Sequence, residues 1–214
     1  MRRGAFITLE GAEGVGKSTC LAAIGRTLEP LGHEAVTTRE PGGTPIGEQI
    51  REWILAGAHG PLSAEVEALL MFAARVLHLS AVIEPALAAG QWVVCDRFSD
   101  ATLAYQGGGR GADNDFLQRL IGAVQGDLKP NLTLLLDAPV DVGLARISDR
   151  AHDHFEREGR AFFERVRRAY LDLARREPER IRIIDASGTI EEVERQVVAE
   201  IRSFARAYEA RNAG

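Results

Sequence analysis

The chain has 214 residues, 45% of them hydrophobic and 27% charged, with a formal net charge of -5. That is the makeup of one globular domain with a full core and at most a small mobile insert. The negative balance speaks against a general nucleic-acid or anionic-membrane partner. Two cysteines, Cys20 and Cys95, are too few for a disulfide framework or a metal cluster, and both read as buried thiols in a reducing, cytoplasmic compartment.

In chain order, Met1 to Gly4 lead into an apolar strand over residues 5–10 with no leader-like stretch, and no run of 18 apolar residues suggests a membrane span. The next eight residues, Gly11-Ala12-Glu13-Gly14-Val15-Gly16-Lys17-Ser18, fit G-x-x-x-x-G-K-[ST]. A strand before them and a helical pattern over 17–30 after them give the context that a phosphate-binding loop requires. Glycines let backbone N–H groups curl around a phosphate, and the helix start adds positive potential. Lys17 is suited to bridging phosphate oxygens, and the Ser18 hydroxyl to ligating Mg²⁺. The reading is a nucleoside triphosphate site.

A short strand follows at 34–38. Then come a turn-rich loop, Arg39 to Pro45, and a helix to about Ala56. Helical periodicity resumes at Ser63 and runs past Pro85 to Ala89. Further strands are expected at Gln91–Asp96, Asn131–Asp137 and Ile181–Asp185, and helices at about 113–124, 139–149, 158–177 and 189–209. Gly107–Gly111 reads as a flexible loop, and the polar stretch around 146–159 as a lid. Alternation of apolar strands with helices predicts an α/β fold, a five-stranded parallel sheet covered on both faces. Glu10, Arg39, Asp96-Arg97 and Asp137 then cluster beyond the carboxyl ends of strands, where such sheets bind ligands. Arginine forks hold phosphates bidentately, so Arg39 and Arg97 are candidates for an acceptor phosphate. Arg39 also reads as a surface arginine anchoring its loop, and Arg97 as the partner of a carboxylate. The five histidines show no metal-ligand spacing.

Five stretches together resemble the thymidylate kinase family. They are Ile7–Thr19, Thr38–Thr44, Leu70–Arg75, Asp96-Arg97-Phe98 with Ala104–Gly111, and Ile184–Gly188. The resemblance implies a P-loop, nucleoside monophosphate kinase-like fold with a short lid, transfer of phosphate from ATP-Mg²⁺ to dTMP, and a homodimer. It implies ATP contacts along Gly11–Thr19 and from Arg146, and metal contacts from Ser18 and Asp96. Phe72 would stack on thymine and Arg75 hydrogen-bond it, although alone Phe72 reads as core and Arg75 as surface. Tyr105 would exclude a ribose hydroxyl, Gln106 and Thr102 would neighbour the base, and Glu13 would reach the acceptor. Gly14 stands where one subgroup carries arginine, so the chain resembles the subgroup whose lid supplies the catalytic cation. Arg150 is the choice for that role, beside Lys17, Arg97 and Glu13. Two positions depart from the pattern: Ser148 replaces a lid arginine, and Ala101 replaces a serine. The alternatives are another nucleoside monophosphate or deoxynucleoside kinase, or a catalytically silent nucleotide-binding module. A GTPase-like switch lacks its Asn-Lys-x-Asp motif here.

Overall fold

A computed structural model of the chain describes residues 3–57, 60, 62–147 and 158–212. Five strands form one parallel sheet: β1 (Phe6–Glu10), β2 (Ala35–Arg39), β3 (Trp92–Asp96), β4 (Leu132–Asp137) and β5 (Ile181–Asp185), in the order β2-β3-β1-β4-β5. β1 is buried along its whole length and β4 almost so, because parallel strands lie under helices on both faces. β1 is central, and the chain leaves it toward β2 on one side and β4 on the other. The register sets Asp96 beside Leu9 and Arg39, and Asp137 beside Asp185, so the acidic ends of the strands share one edge.

On one face α1 (Lys17–Leu28) and α9 (Ile190–Asn212) pack on Ile7, Leu9, Leu134 and Leu136. The opposite side is covered by α8 (Arg160–Arg176) and by a long helical run, α3 (Ala64–His78) into α4 (Glu84–Ala88). Strand side chains alternate between faces, so Thr8 and Glu10 point toward α8 while Ile7 and Leu9 point toward α1 and α9. α2 (Pro45–Ala56) starts from a Thr44 cap that accepts the Gly47 N–H at 3.1 Å, and stops at Gly57 in a left-handed conformation. The remaining helices are α5 (Ser99–Thr102), α6 (Asn114–Gln125) and α7 (Val140–Ile147).

The run from Ala64 to Ala88 is continuous past Pro85 because Leu79–Ile83 widen to a turn of π type. Such a turn releases the backbone partner that proline cannot supply. This run is long and apolar enough to cross a bilayer, with a window of mean hydropathy 1.8, and half of that window is buried against the protein. It carries Glu67, Arg75 and His78 inward, each less than 3% exposed, as a core helix built to serve a site does. A departure from the sequence reading lies at Gly107–Gly111. Leu103–Gly109 continue α5 as a wide helical turn instead of a flexible loop. Glycine is a poor helix former, but here a Cβ at Gly108 would press on Ala169 and one at Gly109 on the Phe162 ring. Tight packing on α8 overrides the local propensity.

Candidate functional site

The phosphate loop leaves β1 at Glu10. Gly11, Gly14 and Gly16 all have positive φ, and α1 starts from Gly16 with no side-chain cap and no acidic residue in its first turn. Its first amides are therefore open to an anion. A Cβ at Gly14 would overlap the Gly143 carbonyl, and one at Gly143 the Glu13 carbonyl, so α7 crosses the loop backbone to backbone. Lys17 is buried and folds back over the loop, its Nζ donating to Gly11 O at 3.1 Å and Ala12 O at 2.7 Å. Burial, then the Arg97 guanidinium, pushes its ammonium below the ordinary lysine range.

Beside the loop lies a cavity of about 540 Å³ whose wall runs from Gly14–Thr19, past Asp96 and Arg97, to Arg75, Thr102 and Gln106. Arg97 follows β3 with φ +67, a left-handed conformation that costs a non-glycine residue about 1–3 kcal/mol and is held here by tight partners. Its Nη2 donates to Glu13 Oε1 at 2.6 Å, and its Nη1 to Gly11 O at 3.0 Å and to the Tyr170 hydroxyl at 3.3 Å. The guanidinium lies 4.7 Å from the Tyr105 ring centre, and the Tyr105 hydroxyl donates to the same Glu13 oxygen at 3.1 Å. Glu13 thus ties the phosphate loop to both groups. Asp96 Oδ1 is buried with no hydrogen-bond partner.

Of the two readings of Arg39, the structure matches the surface arginine that anchors its loop and does not line the cavity with it. It is the last residue of β2, about half exposed, and donates to Glu48 at 2.7 Å through Nη2, outside the cavity wall. Arg51 of α2 is in the wall instead, donating to Pro41 O at 3.2 Å. Burial first, then Arg39 and Arg97, push its guanidinium down. Arginines gathered close enough to repel one another mark a place for an anion. A signal for Arg51 was available: it falls on the buried stripe of α2 between Gly47 and Ile54.

Glu10 lies under the site, fully buried. It accepts the Phe98 N–H at 2.7 Å and the Tyr170 hydroxyl at 2.7 Å, and burial followed by the charge of Asp100 pushes its carboxyl up to about 8. An unfolded chain releases this proton near 4.5, so between about 4.5 and 8 the folded state binds more protons and stability falls as pH rises. The urea midpoint should accordingly drop between pH 5.5 and 8.5. Glu10→Gln should flatten that drop, whereas an unchanged slope would mean that Glu10 titrates elsewhere.

A scan of family models matches the chain to Thymidylate kinase over residues 9–197. The thymidylate kinase of Pseudomonas putida (strain W619) is 54% identical over 195 residues, 91% of this chain and 94% of that one. The thymidylate kinase of Alkalilimnicola ehrlichii is 55% identical over 195 residues, 90% of each chain. A crystal structure of thymidylate kinase from Ehrlichia chaffeensis superposes with a TM-score of 0.76 at 32% identity, covering 94% of this chain and 99% of that one. The chain belongs to the thymidylate kinase family.

As a thymidylate kinase, it brings most of the resemblance-derived residues to one cavity. Thr102, Tyr105 and Gln106 are buried in the cavity wall, with Ala101, Met71 and Leu55 as its apolar part. Phe72 is 2% exposed and lies behind that wall, its ring centre 4.5 Å from the Arg75 guanidinium. Gln106 donates to Glu67 at 3.2 Å. Arg146 reaches across from α7, donating to Ala186 O at 2.9 Å and Gly188 O at 2.7 Å and so holding the loop before α9. Ser148 and Arg150 lie outside the described residues. Sequence reasoning passed over His78 as well as Arg51. His78 is three residues after Arg75 on the buried face of α3, fully buried, and bonded through both ring nitrogens.

Proposed function

We propose that this thymidylate kinase transfers the terminal phosphate of ATP to dTMP within the 540 Å³ cavity, giving ADP and dTDP. The observation that carries the placement is its polarity. An open helix start and Lys17 lie at one end, Arg51 and Arg97 along the wall, and the unpartnered Nη1 of buried Arg75 at the other. ATP phosphates fit the loop Gly11–Thr19, with Lys17 leaving its two carbonyl partners for phosphate oxygens. The adenine would lie near Arg146. The acceptor phosphate fits Arg97 and Arg51, with Arg39 acting from outside the wall through Glu48, and the sugar fits Tyr105 and Glu13. An ionised acceptor phosphate needs no general base, so alignment and positive charge carry the reaction.

Mg²⁺ suits the residues present. Asp96 Oδ1 is buried and unpaired, Ser18 lies in the same wall, and oxygen donors with room for phosphate and water match its preference. When bound, the ion draws charge from the donor phosphates. Arg150 is assigned the lid cation. The assay is coupled ADP release with dTMP, dUMP, UMP, CMP and AMP, repeated with Arg150→Ala. Selective dTMP turnover that falls about a hundredfold or more in the variant is expected. Turnover that survives would move the cation to Arg146, and none with dTMP would leave another kinase or a silent binding module.

The homodimer belongs to the same proposal. Val66, Leu69 and Val76 of α3 are 41%, 50% and 48% exposed, and with exposed Ala73 and Ser80 they form one stripe at helical spacing. An apolar stripe on an otherwise core helix is suited to meeting its own copy, and a cytoplasmic location fits such a chain. Leu69→Glu should convert a sedimenting dimer to monomer at micromolar concentration, and an unshifted coefficient would exclude this face.

A further inference from the structure

Arg75 is 2% exposed, and two of its three side-chain nitrogens are bonded. Its Nε donates to Glu40 Oε2 at 2.6 Å, and its Nη2 donates to Thr102 Oγ1 at 3.0 Å. Only Nη1 lacks a hydrogen-bond partner, and Arg75 lines the cavity. The other Glu40 oxygen, Oε1, accepts from His78 Nδ1 at 3.0 Å, and His78 Nε2 pairs with the Thr38 hydroxyl at 2.7 Å. A Cβ on Gly43 would run into the His78 ring, so the loop after β2 closes down on this histidine. The series Thr38, His78, Glu40, Arg75 therefore connects β2 to the base end of the cavity without a break.

We propose that His78 is a specificity-determining positioning residue: by fixing the Glu40 carboxylate it sets the plane of Arg75, and with it the direction of Nη1 toward the acceptor base. A guanidinium only donates. Held still and buried, Nη1 requires an acceptor opposite it, such as an oxo group on a pyrimidine. An amino group in the same place would set donor against donor and leave a buried polar atom unsatisfied. That is the situation in which a site rejects an analogue most strongly. An arginine free to swing would satisfy itself elsewhere and lose this discrimination. Glu40 alone cannot hold the plane, because a carboxylate bonded through one oxygen rotates about its terminal torsion, whereas two bonded oxygens lock it.

The inference rests on the reading that Arg75 faces the acceptor base, and the experiment separates the two. The ratio of kcat/KM for dTMP over dCMP is measured in the full chain for the parent enzyme, His78→Asn, His78→Gln and Arg75→Ala. The asparagine amide stands where Nδ1 stands and keeps the Glu40 bond, while the glutamine amide stands where Nε2 stands and keeps only the Thr38 bond. A structural role would lower the amount of active enzyme and scale both substrates together, so it leaves the ratio unmoved. His78→Gln should lower the ratio about tenfold or more, mainly through KM for dTMP, and His78→Asn should stay within about threefold of the parent. Equal ratios in the two histidine variants overturn the proposal. If Arg75→Ala collapses the ratio at the same time, the base-side reading stands while the role of His78 falls. If Arg75→Ala leaves the ratio intact, both fall.

Discussion

Arg97→Ala should lower kcat/KM for dTMP by about a thousandfold, the scale seen when a preorganised cationic donor is removed from a closed site. Three consequences add. The fork proposed for the acceptor phosphate is lost, Glu13 loses the partner at 2.6 Å, and the Tyr105 ring loses the guanidinium above it. Taking the guanidinium away from a partly buried carboxylate is itself costly, so part of the loss should appear as lower stability. Binding of ATP measured directly, without acceptor, should change much less, because the loop keeps Lys17 and its open amides. Arg97→Lys restores charge but not the planar fork and should recover less than a tenth of the lost rate. A drop under tenfold in Arg97→Ala would make Arg97 a strut for Glu13 and shift the acceptor phosphate toward Arg51.

Gly14→Arg should weaken ATP binding by about a hundredfold or more. The position has φ +74, which alone costs a side chain about 1–3 kcal/mol, and the added Cβ would overlap the Gly143 carbonyl of α7. Either the loop or α7 must move, and both frame the proposed nucleotide site. Titration of ATP by calorimetry reads the effect. Near-parent affinity would mean that α7 yields easily and that a side chain fits between it and the loop. In this chain the backbone crossing leaves no room for an arginine on the loop itself, which supports the assignment of the transferring-phosphate cation to the lid.

The fold was legible because its signals were local and repeated. The apolar strands, the glycine loop and the helix periods each announce themselves within ten residues, and the fifth strand, Ile181–Asp185, matches residue for residue. What sequence concealed was chosen by contacts between distant segments. Gly107–Gly111 looked like a loop because glycine seldom builds helices, and only α8 pressing on Gly108 and Gly109 explains the helical turn found there. Arg39 and Arg51 are twelve residues apart, and the loop chemistry around Arg39 drew attention away from Arg51, the member that lines the cavity. The signal for Arg51 was its place on the stripe between Gly47 and Ile54, which gains meaning only once that stripe is seen to be buried. His78 was passed over for a similar reason, since hydrogen-bond partners at Thr38 and Glu40 cannot be read from spacing.

The uncapped start of α1 makes the nucleotide part of the architecture. Helices normally gain about 1 kcal/mol from a side chain that closes their first amides, and this one has none because Gly16 must bend instead. Lys17 meanwhile folds back onto the loop's own carbonyls. A triphosphate bound at the proposed site would supply the missing cap and so act as a folding cofactor as much as a reactant. A cell poor in ATP would hold this chain in its least stable form, and one rich in ATP, at a hundred times the dissociation constant, would stabilise it by about 2.7 kcal/mol without changing a residue.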